Sequence, residues 1–306
     1  MSTPPATGVR MPWQDVHPGV RAAVEDFLGA PVARVVTQDG GFSPGAAVRL
    51  VTGDGRRAFV KAVGPEPNPD AAGIYRAEAA NAAALPASVP APRLLTSFDL
   101  DGWVALVFED VEGRHPATPW RRGELDLVLA AVRRMGAALT PSPVEVPSIE
   151  ERFDDSFRGW RRLLGEDTAG LDPWALRHLA ALAELEAGWA GAAAGDTLLH
   201  ADLRADNLLV AGDRVYVVDW PWACRGAAWF DVLAMLPSVA MQGGPPPQEV
   251  LPDPCSGITA VVAALAGYFV RQSRQPGPPG LPTLRAFQHA QGVAALEWLR
   301  HRTGWD

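Results

Sequence analysis

The stretch LLHADLRADNLLVAGDRVYVVDW, residues 198–220, sets one histidine and several short acidic or amide side chains between apolar runs. Asp202 and Asn207 are five residues apart, and Asp219 follows Asn207 by twelve. A carboxylate and an amide carbonyl brought together are hard oxygen donors. Such a pair suits Mg²⁺, which takes few protein ligands and completes its shell with water and phosphate oxygens. The runs NLLV and VYVVD, with AGDR between them, read as an antiparallel hairpin turning near Asp213. Residues equidistant from the turn share a face with Cβ atoms about 5 Å apart. Asn207 and Asp219 are therefore expected to converge, with Asp202 on the same rim. The alternative, a surface hairpin with solvated polar ends, does not account for spacing and apolar flanks together.

The surrounding elements must hold these groups in place. Residues 1–10 read as a loose tail, and 12–30 as a short helix stopped by Gly29 and Pro31. The runs VARVVTQ, AAVRLVT and AFVKAV follow, separated by DGGFSPG and GDGRR, and predict an antiparallel meander. The alanine-rich AAGIYRAEAANAAALP favours a helix, and RLLTSFDL and WVALVFE predict two strands turned by Asp101 and Gly102. Beyond residue 112 the apolar spacing becomes helical. It predicts one helix each in GELDLVLAAVRRMGAALT, IEERFDDSFRGWRRLLG and DPWALRHLAALAELEAGWAGAAAG, then two more over 258–272 and 282–302. The Gly/Pro-rich stretch 237–257 reads as a long loop bordering a pocket.

With 306 residues and 48% apolar content the chain can bury a sizeable core. A net charge of −8 and a pI near 5.3 argue against a nucleic-acid partner. Cys224 and Cys255 have neither metal-ligand nor disulfide spacing and read as free thiols of a reducing compartment. The start MSTPPATGVRMPW lacks the pattern of a secretory signal. The apolar run 258–270 is shorter than the ~20 residues that cross a bilayer. A cytoplasmic protein without a membrane partner is expected.

The His-x-Asp-x-x-x-x-Asn grouping with its later aspartate resembles the catalytic loop and metal-binding aspartate of the aminoglycoside phosphotransferase family. VDWPWACRGAAWFDVL, with Gly226 and Asp231, extends the likeness, and the strand–helix–strand order of 31–109 fits the smaller lobe of that family. The resemblance implies an α+β, two-lobed protein-kinase-like fold: a small antiparallel-sheet lobe over residues 1–110 that binds nucleotide, and a mostly helical lobe over 111–306 with catalytic loop and substrate site. It implies Asp202 as catalytic base, Asn207 and Asp219 as Mg²⁺ ligands, and Lys61 as the lysine on the phosphates, with Glu78 as its helical partner. Gly40, Gly41 and Ser43 occupy the phosphate-covering turn, and Glu109 the lobe connection that meets the base. His200 and Asp231 would support the site structurally. Pro221 stands where many relatives carry an acidic residue.

The implied activity is Mg²⁺-dependent transfer of the γ-phosphate of ATP or GTP to a hydroxyl of a small molecule. A sugar, an amino alcohol, an aminoglycoside or another metabolite fits equally as acceptor, since fold does not fix it. A protein kinase is the nearest rival, but the short Asp219–Asp231 interval leaves little room for an activation segment. A catalytically silent nucleotide-binding module is the rival of another class, and the joint presence of Lys61, Asp202, Asn207 and Asp219 opposes it. Taken singly, Lys61 has the blander reading of an edge-strand lysine and Glu78 that of a solvated helix residue, neither of them preferred, while Trp220, Trp222 and Trp229 read as core rather than as walls of a substrate site.

Overall fold

A computed structural model describes residues 4–42, 45–66, 68–251 and 257–306. Ser43 and Cys255 lie outside the described residues. After a single 3₁₀ turn at Trp13–Asp15, helix α1 (Pro18–Leu28) ends on Gly29 with φ 77°. Strands β1 (Val32–Thr37), β2 (Ala46–Thr52) and β3 (Arg57–Val63) form the expected meander, followed by α2 (Ala71–Ala84), β4 (Leu94–Leu100) and β5 (Trp103–Phe108). The five strands order as β1-β2-β3-β5-β4, all antiparallel.

Strand alternation decides where the chemistry goes. Val48, Leu50, Val60, Ala62, Ala105 and Val107 project to the face packed by α1 through Val20, Val24 and Leu28. The opposite parity sends Val63, Leu106 and Phe108 towards Ala72 and Tyr75 of α2. Lys61 shares that second parity, and it sits on β3, the central strand, where each neighbour hydrogen-bonds it. An edge-strand role is therefore excluded.

The helical lobe begins with α3 (Arg122–Ala138) and continues through α4 (Ile149–Phe153), α5 (Gly159–Leu163), α6 (Pro173–Arg177), α7 (Leu179–Glu186) and α8 (Trp189–Ala193). Short strands β6 (Thr197–Leu199), β7 (Leu208–Ala211), β8 (Arg214–Val217) and β9 (Cys224–Gly226) carry the loop segment. Helices α9 (Phe230–Met241), α10 (Pro247–Val250), α11 (Ile258–Gln272) and α12 (Leu284–Thr303) close the chain. Trp160, Trp189 and Trp298 are fully buried in its core. The apolar run at 258–270 forms most of α11, buried along most of its length. Among the described residues no helix is long and apolar enough to cross a membrane.

Four sequence expectations need correction. The helix expected over 149–165 breaks into α4 and α5, because Gly159 packs onto Gly267 of α11 so closely that any Cβ would collide with its backbone. Glu186 then holds the start of α5, accepting the Trp160 amide at 3.0 Å and the Arg161 amide at 3.1 Å. The next expected helix is three, α6 to α8, interrupted at His178 and at Ala187–Gly188. The loop expected from 237 begins later, since α9 runs through Pro237 to Met241, and its described residues do not line the main cleft. The loose tail expected over residues 1–10 is anchored in its second half: Thr7 and Arg10 form parallel bridges with Gly41 and Gly45.

Candidate active site

Lys61 stands between two carboxylates. Its ammonium lies 2.5 Å from Glu78 Oε2 and 2.7 Å from Asp219 Oδ1, with the Tyr75 ring centroid 5.1 Å away. Glu78 reaches it because Ala71, Tyr75, Glu78 and Ala82 share one face of α2 at three- and four-residue intervals. Asn81, on the same helix, donates to the Trp220 carbonyl at 2.8 Å and fixes α2 against the loop after Asp219. Burial alone depresses the Lys61 pKa, but Asp219 and Glu78 more than offset it, so the ammonium stays charged. Burial pushes Glu78 upward even with Lys61 beside it.

The hairpin forms with its turn at Gly212–Asp213, so its register differs by one residue from the sequence expectation. Leu208 faces Val217, and Asn207 C=O accepts the Val218 amide at 3.0 Å. Asp219 follows as the first residue past the pairing, at φ 71°. Backbone in this region is uncommon for a side chain other than glycine and marks sites where strain is held by the surroundings. Asn207 and Asp219 still line one cavity.

The loop before the hairpin is held from beneath. Asp231, on α9, accepts the amides of His200 at 2.9 Å and Ala201 at 2.8 Å, and Ala201 has φ 64°. His200 is buried, and burial lowers its pKa. Its Nδ1 accepts the Asp202 amide at 3.2 Å, which makes Nε2 the protonated nitrogen that donates to Val218 C=O at 2.9 Å. Asn207 Nδ2 donates to the Asp202 carbonyl at 2.8 Å. That commits the amide nitrogen and turns the carbonyl oxygen into the end available to a cation. Among the described residues no group of three or more His, Cys, Asp or Glu side chains is arranged to hold a metal by itself. One amide oxygen and one carboxylate oxygen, with the remainder left to water and phosphate, is a donor set that fits Mg²⁺.

Above these groups lies a cleft between the sheet and the helical lobe, about 980 Å³ counting its solvent-open mouth. Ala47, Phe59, Leu85, Phe108, Leu209 and Val218 give it apolar walls. Gly40 and Gly41 line it, Gly41 at φ 84°. Gly45, at φ 108°, approaches the Ala62 carbonyl too closely for any Cβ. Glu109 lines the cleft too, but its carboxylate is tied to Arg93 and its amide donates to the Arg93 carbonyl at 3.0 Å. What it offers a ligand is its backbone carbonyl.

Sequence reasoning missed several residues here. Arg204 pairs with Asp202 and, at 3.0 Å, with Asp206. Its guanidinium lies 5.6 Å from the centroid of Phe42, on the glycine loop, and 6.0 Å from that of Phe287, on α12. Asp206 and Arg10 line the cleft. The repeated acid–arginine alternation in ADLRADN was the available signal for Arg204 and Asp206. None marked Arg10. Of the tryptophans, Trp220 is buried edge-on against His200 and Trp222 is exposed.

A small antiparallel sheet over a helical lobe, with a strand lysine paired to a helix glutamate at the cleft between them, defines a kinase-like phosphotransferase fold. The sequence pattern of the phosphotransferase enzyme family, APH, matches residues 38–287. The chain belongs to that family of phosphotransferases. Solved structures share the fold at low identity. A choline/ethanolamine kinase family protein from Mesorhizobium loti superposes with a TM-score of 0.58 at 16% identity, covering 93% of this chain and 97% of that one. A fructosamine-3-kinase homologue from Haemophilus somnus gives 0.53 at 13%, covering 90% and 96%. LicA in complex with AMP gives 0.52 at 16%, covering 91% and 97%. A search of the curated proteins with this sequence finds no match.

Proposed function

We propose that this protein transfers the γ-phosphate of a nucleoside triphosphate, ATP or GTP, to a hydroxyl of a small molecule in the cytoplasm, with Mg²⁺ as cofactor. The observation that carries the reading is Lys61 bound at once to Glu78 and to Asp219, in a cleft that Asn207 also lines. The nucleotide would lie between the lobe of residues 1–110 and that of 111–306, its base between Ala47, Phe108 and Leu209 and against the Glu109 carbonyl. Lys61, oriented by Glu78, would meet the phosphates, and the Gly40 and Gly41 amides would cover them. Asn207 and Asp219 would hold Mg²⁺, which supplies positive charge to the phosphate oxygens when bound.

Asp202 would accept the proton of the acceptor hydroxyl as its oxygen bonds to the γ-phosphorus, while the bond from that phosphorus to the bridging oxygen breaks and the nucleoside diphosphate leaves. Positioning and charge neutralisation supply most of the rate in such transfers. His200 and Asp231 would keep Asp202 in place without touching substrate. The AMP bound in LicA supports a nucleotide site in this fold, and the choline/ethanolamine and fructosamine kinases named above support a small polar acceptor. The peptide-directed alternative finds no support, because the chain after Asp219 passes straight into β9 and α9.

The test is a nucleotide-consumption screen across hydroxyl compounds, with Asp202→Ala in parallel and Mg²⁺ withheld in one arm. Turnover that depends on both the metal and Asp202 is expected. Turnover indifferent to either sinks the mechanism, and nucleotide binding without turnover for every acceptor leaves a silent module.

A further inference from the structure

The amino-terminal segment belongs to the cleft. Gly41 donates its amide to the Ala6 carbonyl at 2.9 Å, and the Met11 amide donates to Gly45 C=O at 3.0 Å. With the isolated parallel bridges Thr7–Gly41 and Arg10–Gly45, residues 6–11 run alongside the glycine loop. The segment is also fastened to the helical lobe. The Val9 amide donates to Gly280 C=O at 2.9 Å, and Thr283 Oγ1 donates to the Thr7 carbonyl at 2.9 Å. Held from both sides, Arg10 enters the cleft wall with Lys61, Asp206, Asn207 and Asp219. Its Nη2 donates to the Gly40 carbonyl, and a Cβ on Gly41 would stand 3.4 Å from that same nitrogen.

We infer that Arg10 is a phosphate-contacting cation of the nucleotide site, delivered by the amino-terminal segment and complementary to Lys61. The inference rests on the nucleotide reading above. Charge makes the case. Lys61 is shared by Glu78 and Asp219, and Arg204 by Asp202 and Asp206, so two cations already face four carboxylates. A triphosphate adds more negative charge than one divalent cation cancels, and the cleft needs a further cation where the glycine loop closes. Burial lowers the Arg10 pKa, with Tyr75, Asp219, Asp39 and Asp206 pulling it back up, and a guanidinium stays charged throughout the physiological range. Its planar, delocalised charge lies along the cleft wall with Lys61 and Asp219.

The experiment is calorimetric titration of wild type, Arg10→Gln and Arg10→Lys with Mg-ATP, Mg-ADP and adenosine, with a thermal midpoint for each variant. Arg10→Gln is expected to weaken ATP and ADP by roughly ten- to a hundredfold, the loss of one charge-assisted contact, and to leave adenosine within about twofold. Arg10→Lys, which keeps the charge and loses the planar guanidinium, falls between. An ATP-to-adenosine affinity ratio in Arg10→Gln equal to the wild type's overturns the proposal. So does an equal loss for ATP and adenosine, which makes the segment a prop for the loop. A wild type that binds no nucleotide removes this inference together with the reading beneath it, whereas binding insensitive to Arg10 removes this inference alone.

Discussion

Arg204 Nη1 donates to Asp202 Oδ1 while its Nη2 holds Asp206 Oδ2 at 3.0 Å, so the carboxylate proposed as base is itself salt-bridged. Burial pushes Asp202 up to about 6; Arg204 pulls it down, and Asp206 and Asp219 add to the rise. A base must be ionised to accept a proton, so kcat/KM should fall about tenfold per pH unit below this value. Arg204→Gln removes the pull and moves the acidic limb to higher pH. A limb that stays in place in that variant dissociates Asp202 from the pH profile.

The Lys61 cluster yields a stability prediction of defined sign. Lys61→Met leaves the buried Glu78 carboxylate and the half-buried Asp219 carboxylate uncompensated, a change that costs about 3–5 kcal/mol near neutral pH. Glu78 is already raised by burial with Lys61 present, and losing the lysine raises it further. The folded variant then binds a proton more tightly than the unfolded chain, so its stability declines as the pH rises through the folded pKa. Urea unfolding should show Lys61→Met closer to wild type at pH 5 than at pH 7. A deficit of the same size at both pH values would contradict the assignment.

How far the sequence carried depends on whether a group's position is set locally. Asn207 and Asp219 were legible because one hairpin places both and a one-residue shift in register did not separate them, and the short loop before it sets Asp202 against Asn207, though not among the residues lining the cleft. Lys61 and Glu78 were legible only through the family resemblance; strand parity and helix period account for their meeting in the fold. Arg10 was not, because its place comes from backbone bonds to residues 41, 45 and 280 that no local pattern encodes. The break between α4 and α5 was hidden for the same reason: it is imposed by Gly267, more than a hundred residues on. Asn81 and Arg204 are polar residues on exposed-looking stretches, and only the folded chain shows that they face Trp220 and Asp202.

Glu186 offers a test of that hidden break. Its carboxylate is fully buried and accepts the Trp160 and Arg161 amides, with Arg161 Nε 3.6 Å away. Glu186→Ala should cost about 1–3 kcal/mol for each buried N–H left unmet, while Glu186→Gln keeps one acceptor and loses less. Burial raises the Glu186 pKa against the pull of those amides. The folded state thus holds its proton more tightly than the unfolded one, and the wild type loses some stability as the pH rises above the ordinary glutamate range. Thermal midpoints should show this slope in wild type and lack it in Glu186→Gln. A Glu186→Ala midpoint matching wild type would show that α5 starts at Gly159 for another reason.

Ala201 gives the last prediction. It is a non-glycine residue at φ 64°, between His200 and Asp202, and Asp231 holds both its amide and that of His200. An L side chain in this conformation carries strain of order 1–3 kcal/mol that neighbouring contacts must sustain. Glycine relieves the strain but adds freedom to the unfolded chain, so Ala201→Gly should change stability by less than about 1 kcal/mol and keep turnover. A β-branched residue has no relief available, and Ala201→Val should destabilise the loop and depress kcat. Asp231→Asn should produce the same loss from beneath, because an amide has one acceptor oxygen for two backbone donors. If the conformation serves to aim Asp202, then Ala201→Val and Asp231→Asn lower kcat with little change in nucleotide affinity. Parallel loss of nucleotide affinity in both would show that they disturb the whole cleft.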